Sequence, residues 1–331
     1  QKKGNHMKSV VEDIKKGSFK PVYLFYGEEA YLKQQYKNRL KNAVLPEGDT
    51  INLSIYSGKG IDVKEMIAQA DTMPFFAEHR LLLIEDSGFF KNANQQLAEY
   101  IPSIPEETIM LFVESEVDKR GKLYKAVSKK GSVVEFTAQN EQTLTRWILG
   151  ILKTEGKMIT SGAMKQFLEK TGTDMERIRQ ELEKLICYCM EKESITEEDV
   201  AVICSEQTEN KIFDMINAMA EKKQKKAMEL YYDLLALKEP PMRILYLITR
   251  QFNLLMQVKE LSEEGYSAKT ISERLKMAGF IVRNCLRQAE YFSLKTLKEA
   301  LQDCVRMEEA VKTGRMNDVM SVELLLVKYS S

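Results

Sequence analysis

The chain has 331 residues, of which 44% are hydrophobic and 30% charged. That is ordinary composition for a globular protein, with length enough for two or three domains that each bury a core. The 49 basic residues balance 49 acidic ones, so the totals show no dominant polyanion-binding surface and leave only local patches. No stretch approaches the roughly 18 uninterrupted apolar residues of a membrane span. Five cysteines, an odd number without a secretion signal, imply free thiols in a reducing cytoplasm. Gln1-Lys2-Lys3-Gly4-Asn5-His6 does not resemble a signal peptide, because no apolar core follows it, and reads as residues added ahead of a natural start at Met7.

Up to residue 137, short apolar runs alternate with amphipathic segments. The runs are Val22–Tyr26, Ile51–Tyr56, Arg80–Ile84, Thr108–Val113 and Ser132–Phe136, and several are apolar almost throughout, as strands buried on both faces should be. Between them the spacing predicts helices over Ala30–Val44, Val63–Ala70, Ala93–Ile101 and Lys122–Lys129. Alternating strand and helix implies a parallel sheet with helices on its faces, an α/β domain over residues 7–139.

From Asn140 the strand signal disappears. Leu144, Trp147, Ile148 and Ile151 form one helical stripe, Ile159–Thr171 another helix, and Asp174 is placed to cap a third that runs to about Met190. Thr196 with Asp199 three residues on forms a capping-box-like start for a last short helix, closing a small helical unit over 140–209. Residues 210–331 read as helical throughout. Within them Met242–Glu263 carries apolar residues at Ile244, Leu245, Leu247, Ile248, Phe252, Leu255 and Val258, a stripe broad enough for a packed bundle.

A parallel α/β domain followed by a small helical one is the outline of an AAA+ nucleotide-binding module. Such a module needs a glycine-rich loop after its first strand, ending in Gly-Lys-Ser/Thr. Here Val22–Tyr26 is followed by Gly27-Glu28-Glu29-Ala30-Tyr31-Leu32-Lys33, with one glycine and two carboxylates that would repel a triphosphate. The Gly-Lys pairs at 58, 121 and 156 are followed by Gly60, Leu123 and Met158, so none supplies the hydroxyl that holds magnesium. Neither ATP hydrolysis nor a cofactor is expected. Glu85-Asp86 reads as a polar strand end rather than a metal site. Cys187 and Cys189 read as buried apolar residues on a packed helix, as do Cys285 and Cys304. His79 reads as a surface residue at the mouth of a strand, and Lys222, Lys223, Lys225 and Lys226 as a solvated face inside a helix.

The unusual local feature is Met73-Pro74-Phe75-Phe76, just after the helix Val63–Ala70 and just before the strand at Arg80. Pro74 stiffens the turn by fixing its own φ and restricting Met73. Two readings stand on local sequence: both rings pack under the sheet edge, or they form an exposed apolar wedge that enters a partner's pocket.

Four stretches in order resemble the delta subunit family of the bacterial DNA polymerase III clamp loader. They are Pro21-Val22-Tyr23-Leu24-Phe25-Tyr26-Gly27-Glu28-Glu29, Met73 through Leu83, Thr171 through Leu185, and Arg250-Gln251-Phe252. The likeness spans essentially Met7 to Tyr329. The resemblance implies an AAA+-like domain without ATPase activity, a helical lid domain (140–209) and a C-terminal helical collar (210–331). It also implies clamp contact through Phe75 and Phe76, supported by Met73 and Pro74. The implied partners are the ring-shaped sliding clamp, the ATPase and delta-prime subunits of the loader held through the collar, and primed DNA as part of the complex. The related delta-prime subunits often carry a cysteine cluster and a Ser-Arg-Cys motif; this chain has no Ser-Arg-Cys and no cysteine in its first domain. A nucleotide-dependent enzyme with an atypical phosphate site, and a helical adaptor unrelated to replication, are the remaining alternatives.

Overall fold

The computed structural model describes residues 4–92, 94–204 and 208–331, which divide into two compact units, Gln1–Ala138 and Gln139–Ser331. The first unit opens with helix α1 (Gly4–Lys16), an element ahead of the first expected strand. Strands β1 (Val22–Tyr26), β2 (Leu53–Ser57), β3 (Arg80–Glu85), β4 (Thr108–Glu114) and β5 (Ser132–Glu135) follow, all paired parallel in the order β2-β3-β4-β1-β5. Helices α2 (Ala30–Val44), α3 (Val63–Ala70), α4 (Gln95–Tyr100) and α5 (Lys122–Lys130) connect them, with a 3₁₀ turn at Ile101–Ser103. Ala93, the expected start of α4, lies outside the described residues.

Alternation along each strand builds two cores. Val22, Leu24 and Tyr26 of β1 face one side with Met66, Leu82, Ile84, Leu97, Phe112 and Val127, under α3, α4 and α5. Tyr23 and Phe25 face the other with Val10, Leu40, Leu81, Leu83, Leu111 and Phe136, under α1 and α2. Burial on both faces explains why β1, β3 and β4 read as continuous apolar runs, whereas edge strand β2 keeps no residue fully buried.

The second unit is helical, with one exception to the expected loss of strands. Met158–Ile159 (β6) pairs parallel with Ser194–Ile195 (β7), a contact too short to leave a period in the sequence. Around it lie α6 (Glu141–Thr154), α7 (Ser161–Thr171), α8 (Met175–Tyr188) and α9 (Glu197–Ile203). Asp174 caps α8 by accepting from the Arg177 amide at 3.0 Å, and Asp199 accepts from the Thr196 amide at 2.9 Å as the capping-box reading expects. Cys187 is exposed, contrary to the expectation of burial, whereas Cys189, Cys204, Cys285 and Cys304 are buried. The Cys187 side leaves the packed face because α8 buries Met175, Ile178, Leu182 and Leu185 instead.

Residues 208–331 form α10 (Thr208–Ala220), α11 (Gln224–Ala236), α12 (Pro241–Glu263), α13 (Ala268–Leu275), α14 (Gly279–Ala289), α15 (Leu294–Lys312) and α16 (Asp318–Ser330) around a core of their own. All seven apolar positions picked out on α12 are buried. Phe252 is fully buried and meets the rings of Phe292 and Tyr329 at 5.9 and 6.0 Å. Its neighbour Gln251 donates to Gln288 at 2.7 Å, and Gln288 donates in turn to Asn217 and the Phe213 carbonyl, tying α10, α12 and α14 through a satisfied buried network. Lys222 and Lys223 are not inside a helix: they form the turn between α10 and α11, with Lys222 at φ 58°. Among the described residues no helix is long and apolar enough to cross a membrane.

Candidate functional site

The loop between α3 and β3 crosses the start of the sheet beside its edge strand β2. Both phenylalanines are turned outward: Phe75 is 57% and Phe76 95% exposed, and Met73 is exposed beside them. The alternative of two rings packed under the sheet edge is therefore not what the fold adopts. The rings stack edge to face with centroids 4.6 Å apart and planes at 83°, so the pair presents as one aromatic knob. Pro74 is half-buried behind it. Met73, Pro74, Phe75 and Phe76 are thus brought together on one short turn. Ile51 and Ile55 add exposed apolar side chains at the same edge strand and its approach.

A bare apolar turn would not hold such a shape; two buried polar side chains, Asn52 and Arg80, hold it. Asn52, 2% exposed, is fixed at the head of the sheet by its carbonyl, which accepts from the Leu81 amide at 2.8 Å. Its carboxamide grips the Phe75 main chain at two points: Oδ1 accepts from the Phe75 amide (2.7 Å) and Nδ2 donates to the Phe75 carbonyl (2.9 Å). Nδ2 also donates to Asp49 at 2.8 Å. An ionised carboxylate only accepts, which fixes the amide orientation. Hydrogen bonds to Asp49 from the Asn52 side chain and from the Asn52 and Ile51 amides hold its carboxyl below the usual carboxylate range, helped by the charge of Arg80. Arg80 is buried at the first position of β3 and donates to the Thr72 carbonyl (3.1 Å) and the Met73 carbonyl (3.3 Å). The only local signal was a charged residue opening an otherwise apolar strand, which burial obliges to find partners.

Phe76 itself has φ 49°, a left-handed conformation uncommon for a bulky side chain. It is the one aromatic among the described non-glycine residues with positive φ. His79, expected at the surface, is half-buried instead, its ring edge-on to Phe19 at 5.7 Å.

At the opposite end of the strands lies the turn that would carry phosphates in a nucleotide-binding module. Only Gly27, Glu28 and Glu29 separate β1 from α2. The turn lies directly on the end of the sheet: the Glu29 amide donates to the Phe136 carbonyl at 3.2 Å, and a methyl group at Gly27 would overlap that oxygen. Lys33 donates to the Glu114 carbonyl at 3.1 Å, and burial lowers its pKa against the pull of Asp86, Glu114 and Glu29. Lys37 pairs with Glu85 at 2.7 Å, while Asp86 accepts from Ser115 at 3.0 Å. Glu114 is buried, and desolvation pushes its carboxyl up although Ser87 and the Gly88 amide donate to it. These charged groups are occupied with one another and with the backbone.

Comparison with known proteins assigns the family. A family model described as "DNA polymerase III, delta subunit" matches residues 23–137, and one for the C-terminal domain of the same subunit matches residues 209–329. The curated DNA polymerase III subunit delta of Bacillus subtilis (strain 168) is 30% identical, over 96% of this chain and 95% of that protein. The probable DNA polymerase III subunit delta of Aquifex aeolicus is 21% identical, over 74% of this chain and 72% of that one. The solved structure of the Bacillus subtilis DNA clamp loader delta protein matches with a TM-score of 0.68 at 30% identity, covering 98% of this chain and 99% of that one. The chain belongs to the DNA polymerase III delta subunit family.

Proposed function

We propose that this chain binds the sliding clamp through Met73, Pro74, Phe75 and Phe76 and helps to open it for loading onto primed DNA, without hydrolysing ATP itself. The carrying observation is the Phe75–Phe76 knob, exposed to solvent yet held on a bracketed turn. Large aromatics that leave the core and keep a fixed shape are the usual anchors of protein interfaces. A closed ring opens when a partner binds its distorted edge better than its closed one, and a rigid apolar knob supplies that difference. Residues 140–209 serve as a lid domain. Residues 210–331 form a collar that holds the chain beside the ATPase and delta-prime subunits, and DNA is met as part of that complex in the cytoplasm. Titrating the chain with the sliding clamp of its own species tests the reading directly. Saturable binding is expected, and its absence at micromolar clamp would refute clamp engagement.

The three-residue turn at Gly27, seated on Phe136, supports the view that nucleotide chemistry is left to other subunits. Mg-ATP at millimolar concentration is expected to leave the melting temperature of the isolated chain unchanged. A ligand that binds only the native state must raise it, so a saturable upward shift would overturn this part of the reading.

A further inference from the structure

Asn52 and Arg80 are both buried, yet the Asn52 carboxamide and the Nε and Nη2 of Arg80 all bond to one exposed turn. We infer that Asn52 and Arg80 are positioning residues that set the presentation of the Phe75–Phe76 knob to its partner. The inference rests on the clamp-binding reading and deepens it.

Four bonds reach the turn from its buried side. Arg80 takes the carbonyls of Thr72 and Met73, and Asn52 takes both main-chain groups of Phe75. The planar guanidinium suits two neighbouring carbonyls as a flexible ammonium does not. Asn52 behaves towards Phe75 as a neighbouring strand would, with its carboxamide standing in for a peptide group. Asp49 locks that carboxamide from behind, and Asp49 is itself held by two amides of the same segment. The gripped stretch ends at Phe75, and the next residue is the one driven into the left-handed region with its ring almost wholly in solvent. A non-glycine residue keeps such a backbone only where its surroundings over-determine it. Here the over-determination lies in the bracket, because the Phe76 ring packs on little besides Phe75. A turn fixed before encounter spares the complex the ordering of two aromatic side chains and their backbone on binding.

The test uses the full chain and the purified sliding clamp of the same species. Asn52→Ala removes both bonds to Phe75 and the lock to Asp49 while leaving every knob side chain in place. Expected results are clamp affinity weaker by about ten- to a hundredfold, from lost preorganisation, faster exchange of the Phe75 amide hydrogen, and a melting temperature within a few degrees of the parent. A role through the knob also predicts coupling. In a Phe76→Ala background the same Asn52→Ala substitution should weaken binding by a distinctly smaller factor, whereas a merely structural role leaves the factor equal in both backgrounds. Should Asn52→Ala fail to fold, Arg80→Lys keeps the charge, loses the fork, and is held to the same expectations of weakened affinity and of a smaller factor in the Phe76→Ala background. Parent-like affinity in a folded Asn52→Ala or Arg80→Lys chain, or equal factors in the two backgrounds, overturns the inference while leaving clamp binding by the knob intact. Failure of the unmodified chain to bind the clamp removes the clamp reading and the inference with it.

Discussion

Phe75→Ala combined with Phe76→Ala is expected to abolish clamp binding and to leave the melting temperature near that of the parent. Burial sets the second half of this expectation. Truncating a core phenylalanine costs about 3–5 kcal/mol, from lost transfer energy and the cavity left behind. Neither ring meets that condition at 57% and 95% exposure, and the main ring contact each would lose is with the other. Binding sets the first half. A true hot-spot residue is worth on the order of 2 kcal/mol or more, so the pair amounts to roughly a thousandfold in affinity. Clamp titration and calorimetry on one double variant separate the readings. Unchanged affinity would place the contact elsewhere, and a melt lowered by many degrees would mean the rings serve the fold. Phe76→Gly sharpens the comparison, because φ 49° suits glycine and strains alanine. The glycine variant should bind as poorly as Phe76→Ala yet be more stable than it by about 1 kcal/mol. Such a gain would identify Phe76 as a residue retained against local backbone preference for the sake of its ring.

How much of this was readable before the fold was known follows from the range over which each feature is encoded. The sheet was legible because its inner strands β1, β3 and β4 are buried on both faces, and β1, α2 and α3 begin and end where their apolar spacing said they would. Helix α1 escaped notice although Val10 is fully buried, Ile14 packs beside it and Gly17 at φ 63° marks its end, because its first turn is polar and carries no acidic residue to announce a start. The paired strands β6 and β7 have two residues each, below the length at which period two can be seen. The basic turn at Lys222 carries no glycine or proline, so nothing local marked the end of α10. At the candidate site, proline followed by two phenylalanines drew attention to the turn, but composition could not choose between a buried and an exposed pair. That choice is made by Asn52, 23 residues away from Phe75 in sequence, and by Arg80, whose place at the head of β3 reveals a need for partners without saying which. Long-range polar brackets leave no periodic trace, whereas two-faced burial does.

Gly27→Ala is expected to be among the most destabilising single-methyl changes available in the first unit, and its reason bears on why the chain has no phosphate loop. Gly27 has φ 117°, a conformation that L side chains rarely adopt, and the added methyl group would overlap the Phe136 carbonyl oxygen and lie 3.0 Å from its carbon. Neither partner can yield cheaply. The Phe136 amide donates to the Tyr26 carbonyl at 2.7 Å, the Phe136 carbonyl accepts from Glu29, and the Phe136 ring is fully buried against Phe25 and Tyr36. Backbone strain and the clash add, for a cost on the order of 3 kcal/mol or more and a drop in melting temperature of roughly ten degrees. Gly58 provides the control: its φ is 82° but no atom lies within 4 Å of an added methyl group, so Gly58→Ala should show the strain alone, about 1 kcal/mol. If the two alanine variants melt within a degree or two of each other, the turn has room to move and the close seating on Phe136 is not a constraint. If they separate as expected, the turn after β1 is fastened to the end of the sheet where a nucleotide-binding module would leave space for phosphates. The glycine kept at position 27 then serves that fastening, and recovering a phosphate site would require releasing Phe136 as well as replacing Glu28 and Glu29.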